Sequence, residues 1–98
     1  MRAPDQRETQ GARAVENYLR QQFPDHTVLP PEHRGVAWYF SLLGKPDYVV
    51  EASEEFLADS VPAQIDARLT EWQLAQRLRT RRRRVLITHQ GLQVIEPF

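Results

Sequence analysis

The sequence predicts an α+β fold in which helices pack on one face of an antiparallel sheet. Three observations lead to this prediction. Apolar residues recur at every second position in Val36, Trp38, Phe40 and Leu42, which is the spacing of a strand with one buried face. Near the N-terminus apolar residues recur at helical spacing, and two β-branched segments close the chain. The predicted order is an N-terminal helix, a three-stranded antiparallel meander, one long or two short helices, and a C-terminal β-hairpin.

The composition predicts a single globular domain over residues 1–98, with residues 1–8 frayed. Hydrophobic residues make up 41% and charged residues 27% of the chain, as in ordinary soluble proteins. The absence of cysteine excludes disulfides and thiolate metal sites. No apolar run approaches the roughly 20 residues that span a bilayer, and the N-terminus is too polar for a signal peptide. We therefore expect a cytoplasmic protein that does not interact with membranes.

The first helix carries one apolar stripe and ends at a proline. The stripe consists of Ala12, Val15, Leu19 and Phe23. Pro24 cannot continue a helix. Because Gly11 weakens the first turn, the secure helix covers residues 12–22.

Three strands are predicted to follow as a meander. Residues 27–29 form a short edge strand, since Pro30 and Pro31 cannot donate hydrogen bonds to a neighbouring strand. Residues 36–43 and 48–52 form a hairpin, joined by a turn that contains glycine, proline and aspartate. On its outer face, Tyr39 could stack on a base or contact a peptide, although such a residue more often lies beneath a loop or in a dimer interface.

Ser53 is a typical N-cap, and the two glutamates that follow it favour a helix over residues 53–59. A new helix then begins near Pro62, with Asp59 or Ser60 as its cap.

Residues 61–79 have apolar side chains on two sides of a helix. Ile65, Leu69 and Trp72 share one face, whereas Ala67, Leu74 and Leu78 lie almost opposite. Either the helix is interrupted near Thr70, or one unbroken helix is sandwiched between two surfaces. We favour the unbroken helix. Its second face would need a partner, so Ala67, Leu74 and Leu78 are the candidate residues for self-association as a homodimer.

The last 14 residues predict a second hairpin. Residues 85–88 and 92–95 are β-branched and apolar, and Gly91 between them suits the left-handed position of a three-residue loop.

Positive charge is concentrated in one segment. Residues 1–76 carry a net charge of −5, whereas the next eight residues carry +6. The arginines of this segment are Arg77, Arg79, Arg81, Arg82, Arg83 and Arg84. They could bind a polyanion such as RNA or DNA, because guanidinium groups pair with phosphates. Alternatively, they form a solvated surface, pair with the acidic residues between Asp47 and Asp59, or bind a protein partner.

No pattern of catalytic or cofactor-binding residues is present, so we predict no enzyme, no cofactor and no metal. His26, His33 and His89 lack a ligand spacing. The first two lie beside Asp25 and Glu32, which allows a surface carboxylate–imidazole site, but exposed loop histidines are the more common case. The predicted function is a non-enzymatic protein-interaction module that self-associates, and the alternative is nucleic-acid binding through the arginines.

Overall fold

The computed structural model describes residues 6–45, 47–81 and 84–95. The predicted α+β fold is confirmed, with helices packed against a mostly antiparallel sheet. The helices are α1 (Gln6–Gln22), α2 (Glu54–Asp59), α3 (Pro62–Glu71) and α4 (Leu74–Arg81). The strands are β1 (Thr27–Val28), β2 (Glu32–Arg34), β3 (Ala37–Leu43), β4 (Tyr48–Ser53), β5 (Arg84–Thr88) and β6 (Gly91–Ile95).

The strand order in the described sheet is β1–β3–β4–β5–β6, and β2 pairs with β3 beside β1. All neighbouring strands are antiparallel except β4 and β5, which are parallel. A parallel pair needs a long crossover connection, and the three helices α2, α3 and α4 form it. The predicted meander and the predicted C-terminal hairpin are therefore parts of one sheet.

The first edge of the sheet contains a strand that the sequence did not predict. β1 and β2 both pair with β3, and Pro30 and Pro31 lie between them. From Val28 to Glu32 the chain advances by four residues, while the paired positions on β3 go back by three, from Leu42 to Tyr39. The two prolines therefore lie at a β-bulge, where one extra residue is accommodated without a ladder hydrogen bond.

The alternation predicted for the central strand is confirmed except at its first residue. Trp38, Phe40 and Leu42 are buried, but Val36 is 75% exposed. Val36 lies outside β3, in the two-residue turn that follows β2, where Gly35 has a φ of +61°. The turn removes Val36 from the strand pattern, so its predicted place in the core is wrong.

One hydrophobic core lies between the helices and the inward face of the sheet. The sheet contributes Phe40, Leu42, Val50, Ala52, Val85 and Ile87. The helices contribute Val15, Leu19, Phe56, Leu57, Ile65, Leu69, Leu74 and Leu78. Outward-facing residues of the central strands are only half-buried, so the described helices cover one face of the sheet.

The long helix that we favoured from the sequence is two helices. Gln73, between α3 and α4, has a φ of +57°, which a continuous helix does not allow. Because the chain changes direction there, Leu74 and Leu78 are fully buried in the same core as Leu69, while Ala67 is exposed. The described residues of α3 and α4 therefore present no second apolar face.

Several predicted caps and turns are found, some with different residues. The hydroxyl of Ser53 accepts a hydrogen bond of 3.1 Å from the N–H of Phe56, as expected for an N-cap. Pro62 is the first residue of α3, but the N-cap is Val61 rather than Asp59 or Ser60. Gly91 has the expected positive φ, +115°, although only two residues separate β5 from β6.

Candidate functional site

The residues predicted to mediate self-association do not form a surface. Leu74 and Leu78 are buried within the chain, and Ala67 is exposed on α3 apart from them. The apolar surface from which association was predicted is therefore removed by the break at Gln73. Self-association remains untested, but it needs a different surface.

Of the predicted polyanion-binding arginines in α4, Arg77 and Arg79 contact the protein itself. The Nε of Arg77 donates a hydrogen bond of 3.1 Å to the carbonyl oxygen of Trp72. Arg79 donates to the carbonyl oxygen of Gln22, and its guanidinium carbon lies 4.6 Å from the centre of the Phe23 ring. Both side chains remain exposed, but both stabilise helix ends by packing and hydrogen bonding.

A third arginine pairs with the acidic segment. The Nε of Arg84 lies 3.7 Å from a carboxylate oxygen of Glu51, on the outward face of the sheet. Arg82, Arg83 and the side chain of Arg81 lie outside the described residues. Since all three described side chains have intramolecular partners, nucleic-acid binding through these arginines stays a prediction that no observed contact favours.

The outward face of the sheet presents a row of side chains that no described helix covers. Tyr39, Glu51, Leu86 and Gln93 are paired across β3, β4, β5 and β6. The guanidinium carbon of Arg34 lies 5.6 Å from the centre of the Tyr39 ring. Tyr39 is thus partly covered within the chain, which makes it a poor stacking platform for a base.

The two edges of the sheet differ in their protection. The edge formed by β1 and β2 has two short strands, a proline bulge and a Glu32–Arg34 ion pair of 2.5 Å. Short strands, prolines, bulges and charges are devices that prevent pairing with another chain. The other edge strand, β6, has five residues without charge or proline and, in the described part of the chain, pairs only with β5.

The register of the last hairpin identifies the free backbone groups of β6. Thr88 and Gly91 form the pair next to the two-residue turn. Such a pair exchanges hydrogen bonds, and hydrogen-bonded and non-hydrogen-bonded pairs then alternate along the hairpin. Leu92 and Val94 fall in non-hydrogen-bonded pairs, so their N–H and C=O groups point to the open edge. This edge can therefore accept a further strand.

A second candidate site is a cluster of Glu8, His33 and Glu54. The Nε2 atom of His33 lies 3.1 Å from Glu54 Oε2 and 3.7 Å from Glu8 Oε1. One oxygen or nitrogen ligand atom from each residue lies within 4.8 Å of the other two. Trp38 Nε1 donates a hydrogen bond of 3.4 Å to Glu8 Oε1, and the Trp38 and His33 rings are 5.2 Å apart.

Three elements that are distant in sequence assemble this cluster. Glu8 lies in the first turn of α1 and its side chain is only 1% exposed. His33 is the central residue of β2, and Glu54 is the first residue of α2. The side chains of His33 and Glu54 are 17% and 18% exposed, so solvent reaches the cluster from their side.

The expectation that His33 is an exposed loop residue is wrong. It forms strand pairs with β3, and its carboxylate partners are Glu8 and Glu54 instead of Glu32, which pairs with Arg34. One signal in the sequence points to Glu8. It lies one turn before Ala12 on the apolar stripe of the first helix, a position where a charged residue is unusual.

No helix in the described ranges is long and apolar enough to cross a membrane. Comparisons of the chain with protein-family models, with curated proteins and with solved structures gave no match. The function is therefore argued from the geometry of the two candidate sites.

Proposed function

We propose that this protein is a non-enzymatic interaction module of the cytoplasm that self-associates, and that two copies join through the edge strand β6. The observation that supports the proposal is the contrast between the two edges of the sheet. The first edge carries several features that block strand addition, and β6 carries none of them in the part that the structure describes.

A second copy fits the β6 edge because antiparallel pairing of this strand with itself is self-complementary. With Gln93 on the two-fold axis, Leu92 of one copy lies opposite Val94 of the other. Both residues direct their backbone N–H and C=O groups to the open edge, so each such pair exchanges two hydrogen bonds. A symmetric interface forms two of these pairs.

The lack of charge on β6 and the outward position of Gln93 also suit this pairing. β6 contains no charged residue, so two copies meet without repulsion between like charges. In the proposed register the backbones of Leu92 and Val94 are opposite each other. The exposed Gln93 is on the outward face, opposite its own symmetry mate. The outward faces of the two sheets are therefore continuous across the interface.

Sedimentation velocity over about a hundredfold range of protein concentration tests self-association, because the dimer fraction follows mass action. The chain should change from monomer to dimer within that range. A monomer at every concentration would contradict the proposal.

Charge substitution at Gln93 tests the surface. Gln93→Glu and Gln93→Lys each place like charges opposite each other, so each variant should dimerise about threefold to tenfold more weakly than the wild type. An equimolar mixture should form a heterodimer, since the charges are then opposite. Gln21→Glu and Gln21→Lys, at an exposed position of α1, are the matched controls and should leave dimerisation unchanged. Wild-type behaviour of both Gln93 variants would exclude β6 as the interface.

A further inference from the structure

We infer that Glu8, His33 and Glu54 form a binding site for a single divalent transition-metal cation such as Zn²⁺. This inference is independent of self-association, because the cluster lies at the junction of α1, β2 and α2, away from the β6 edge in the strand order. It rests on the donor set, the spacing of the donors and the surroundings of the buried carboxylate.

The donor set suits such a cation. An imidazole nitrogen and two carboxylate oxygens are ligands that Zn²⁺ and related first-row metals accept. The two carboxylates and a neutral imidazole carry a combined charge of −2, which a divalent cation balances. Glu8 is 1% exposed and accepts a hydrogen bond from Trp38, so its carboxylate is held in place inside the protein.

The spacing of the donor atoms also fits a tetrahedral Zn²⁺ site. A tetrahedral Zn²⁺ site with bonds of about 2.0–2.2 Å places neighbouring ligand atoms about 3.3–3.6 Å apart. The distances from His33 Nε2 to the oxygens of Glu54 and Glu8 are 3.1 and 3.7 Å, on either side of that range. The ligand oxygens of Glu8 and Glu54 lie within 4.8 Å of each other. An adjustment of the partly exposed Glu54 side chain would therefore bring the three ligands to bonding distance.

The groups around the cluster resemble the supporting contacts of metal sites. The indole N–H of Trp38 bonds to Glu8 and orients its carboxylate. Hydrogen bonds of this kind hold metal-binding carboxylates in place and tune their affinity. The Ser53 cap fixes the first turn of α2, where Glu54 lies, and the backbone N–H of Glu54 bonds to the carbonyl of Val36 at 3.0 Å. On the side of His33 and Glu54, where solvent reaches the cluster, a water molecule can serve as a fourth ligand.

Isothermal titration of the full chain with ZnCl₂ tests the inference, with an untagged protein because polyhistidine binds the same ions. The wild type should bind one Zn²⁺ in a saturable reaction. His33→Gln and Glu54→Gln should each weaken binding by about 100-fold or more, since each removes a direct ligand. The side chains of His33 and Glu54 are both partly exposed. Circular dichroism should establish that each variant is folded before it is titrated.

The matched control is His89→Gln. The Nε2 atom of His89 lies 3.2 Å from Asp59, so the chain offers a second carboxylate–imidazole pair, which is exposed and has no third ligand in the described residues. This variant should bind Zn²⁺ as the wild type does. Co²⁺ added in place of Zn²⁺ should give visible absorption bands that are lost in His33→Gln but kept in His89→Gln.

Three results would overturn the inference. The first is a wild-type protein without saturable one-to-one binding. The second is equal affinity of the wild type and the His33→Gln and Glu54→Gln variants. The third is full displacement of Zn²⁺ by equimolar Mg²⁺, since a site with a nitrogen ligand should prefer Zn²⁺ to Mg²⁺.

Discussion

The hydroxyl oxygen of Tyr18 accepts a hydrogen bond of 3.2 Å from the backbone N–H of Ala75. The same hydroxyl donates to the carbonyl oxygen of Leu69 at 3.4 Å. Leu69 belongs to α3 and Ala75 to α4, so one side chain of α1 satisfies backbone groups on both sides of the break at Gln73. The helix ends, which would otherwise leave buried polar groups without partners, are thus held by a third helix.

Tyr18→Phe should destabilise the protein by about 1–3 kcal/mol at pH 7, because the N–H of Ala75 is buried and loses its partner. Urea unfolding measures the change. Tyr39→Phe is the control, since that ring is half-buried on the outward face of the sheet, and it should have a smaller effect. Equal stability of wild type and Tyr18→Phe would contradict the bridging role.

Stability should also fall at alkaline pH because of Tyr18. Burial raises the pKa of its phenol above the ordinary value of 10.0, and the hydrogen bond from Ala75 opposes this only in part. Above pH 10 the unfolded chain loses this proton while the folded chain keeps it, so the contribution of Tyr18 is complete below pH 10 and is lost as pH rises through its folded pKa. The stability difference between wild type and Tyr18→Phe, measured by urea unfolding, should therefore shrink above pH 10. A constant difference up to pH 11 would contradict this.

The same substitution should have opposite effects at two glutamines of this region. Gln73 has a φ of +57°, which glycine adopts without the steric cost of a Cβ, so Gln73→Gly should stabilise the protein by about 0.5–1 kcal/mol. Gln76 lies inside α4, and Gln76→Gly should destabilise it by about 1 kcal/mol. Thermal unfolding measures both changes. A loss of stability in Gln73→Gly would indicate that α3 and α4 are not separated at this residue.

Gly11→Ala should be destabilising although alanine favours helices. A Cβ at Gly11 would lie 2.7 Å from the carbonyl oxygen of Leu57 and 3.0 Å from its Cα, both backbone atoms of α2. Separating the two helices should lower the free energy of unfolding by about 1–3 kcal/mol. The higher helix propensity of alanine raises it by only about 1 kcal/mol. Asn17→Ala, at an exposed position of α1, should be neutral or slightly stabilising in the same urea titration. A stabilised Gly11→Ala variant would contradict the close packing.

Leu74→Ala and Leu78→Ala should each destabilise the protein by about 2–5 kcal/mol, because both side chains are fully buried in the core. This loss of stability should be the same at every protein concentration. Ala67→Gln, at an exposed position of α3, should stay within about 0.5 kcal/mol of the wild type. Unfolding should therefore be measured at two protein concentrations. If Leu74 and Leu78 lay in an interface between two copies, the loss of stability would be smaller at the lower concentration.

Local rules were enough to predict the elements that depend on neighbouring residues. The alternation along the central strand, the cap at Ser53 and the proline at the start of α3 each follow from a few adjacent positions. The prediction for Val36 was wrong because the turn at Gly35 and Val36 delays the start of β3 to Ala37, one residue later than the apolar pattern suggested. An unbroken helix was favoured over residues 61–79, and the alternative put an interruption near Thr70. Neither located the break at Gln73, because glutamine gives no signal for a positive φ.

The features that could not be predicted from the sequence depend on contacts between distant residues. β2 exists because β3 offers it an edge, and the sequence around His33 has little strand character of its own. The parallel pairing of β4 with β5 leaves no local pattern at all. Glu8, His33 and Glu54 come together only when α1, β2 and α2 pack, so the cluster could not be derived from spacing. Only the position of Glu8 on the apolar stripe of the first helix indicated its burial.

The parallel pairing of β4 and β5 has a consequence during synthesis. β4 ends at Ser53 and its partner begins at Arg84, so about thirty residues must leave the ribosome after β4 before that side of it can be paired, which takes about two to six seconds. Throughout that delay the nascent chain presents an apolar strand with one open side. This interval is when a chaperone would be needed most, and slower translation of the α3–α4 region should increase the amount of misfolded product.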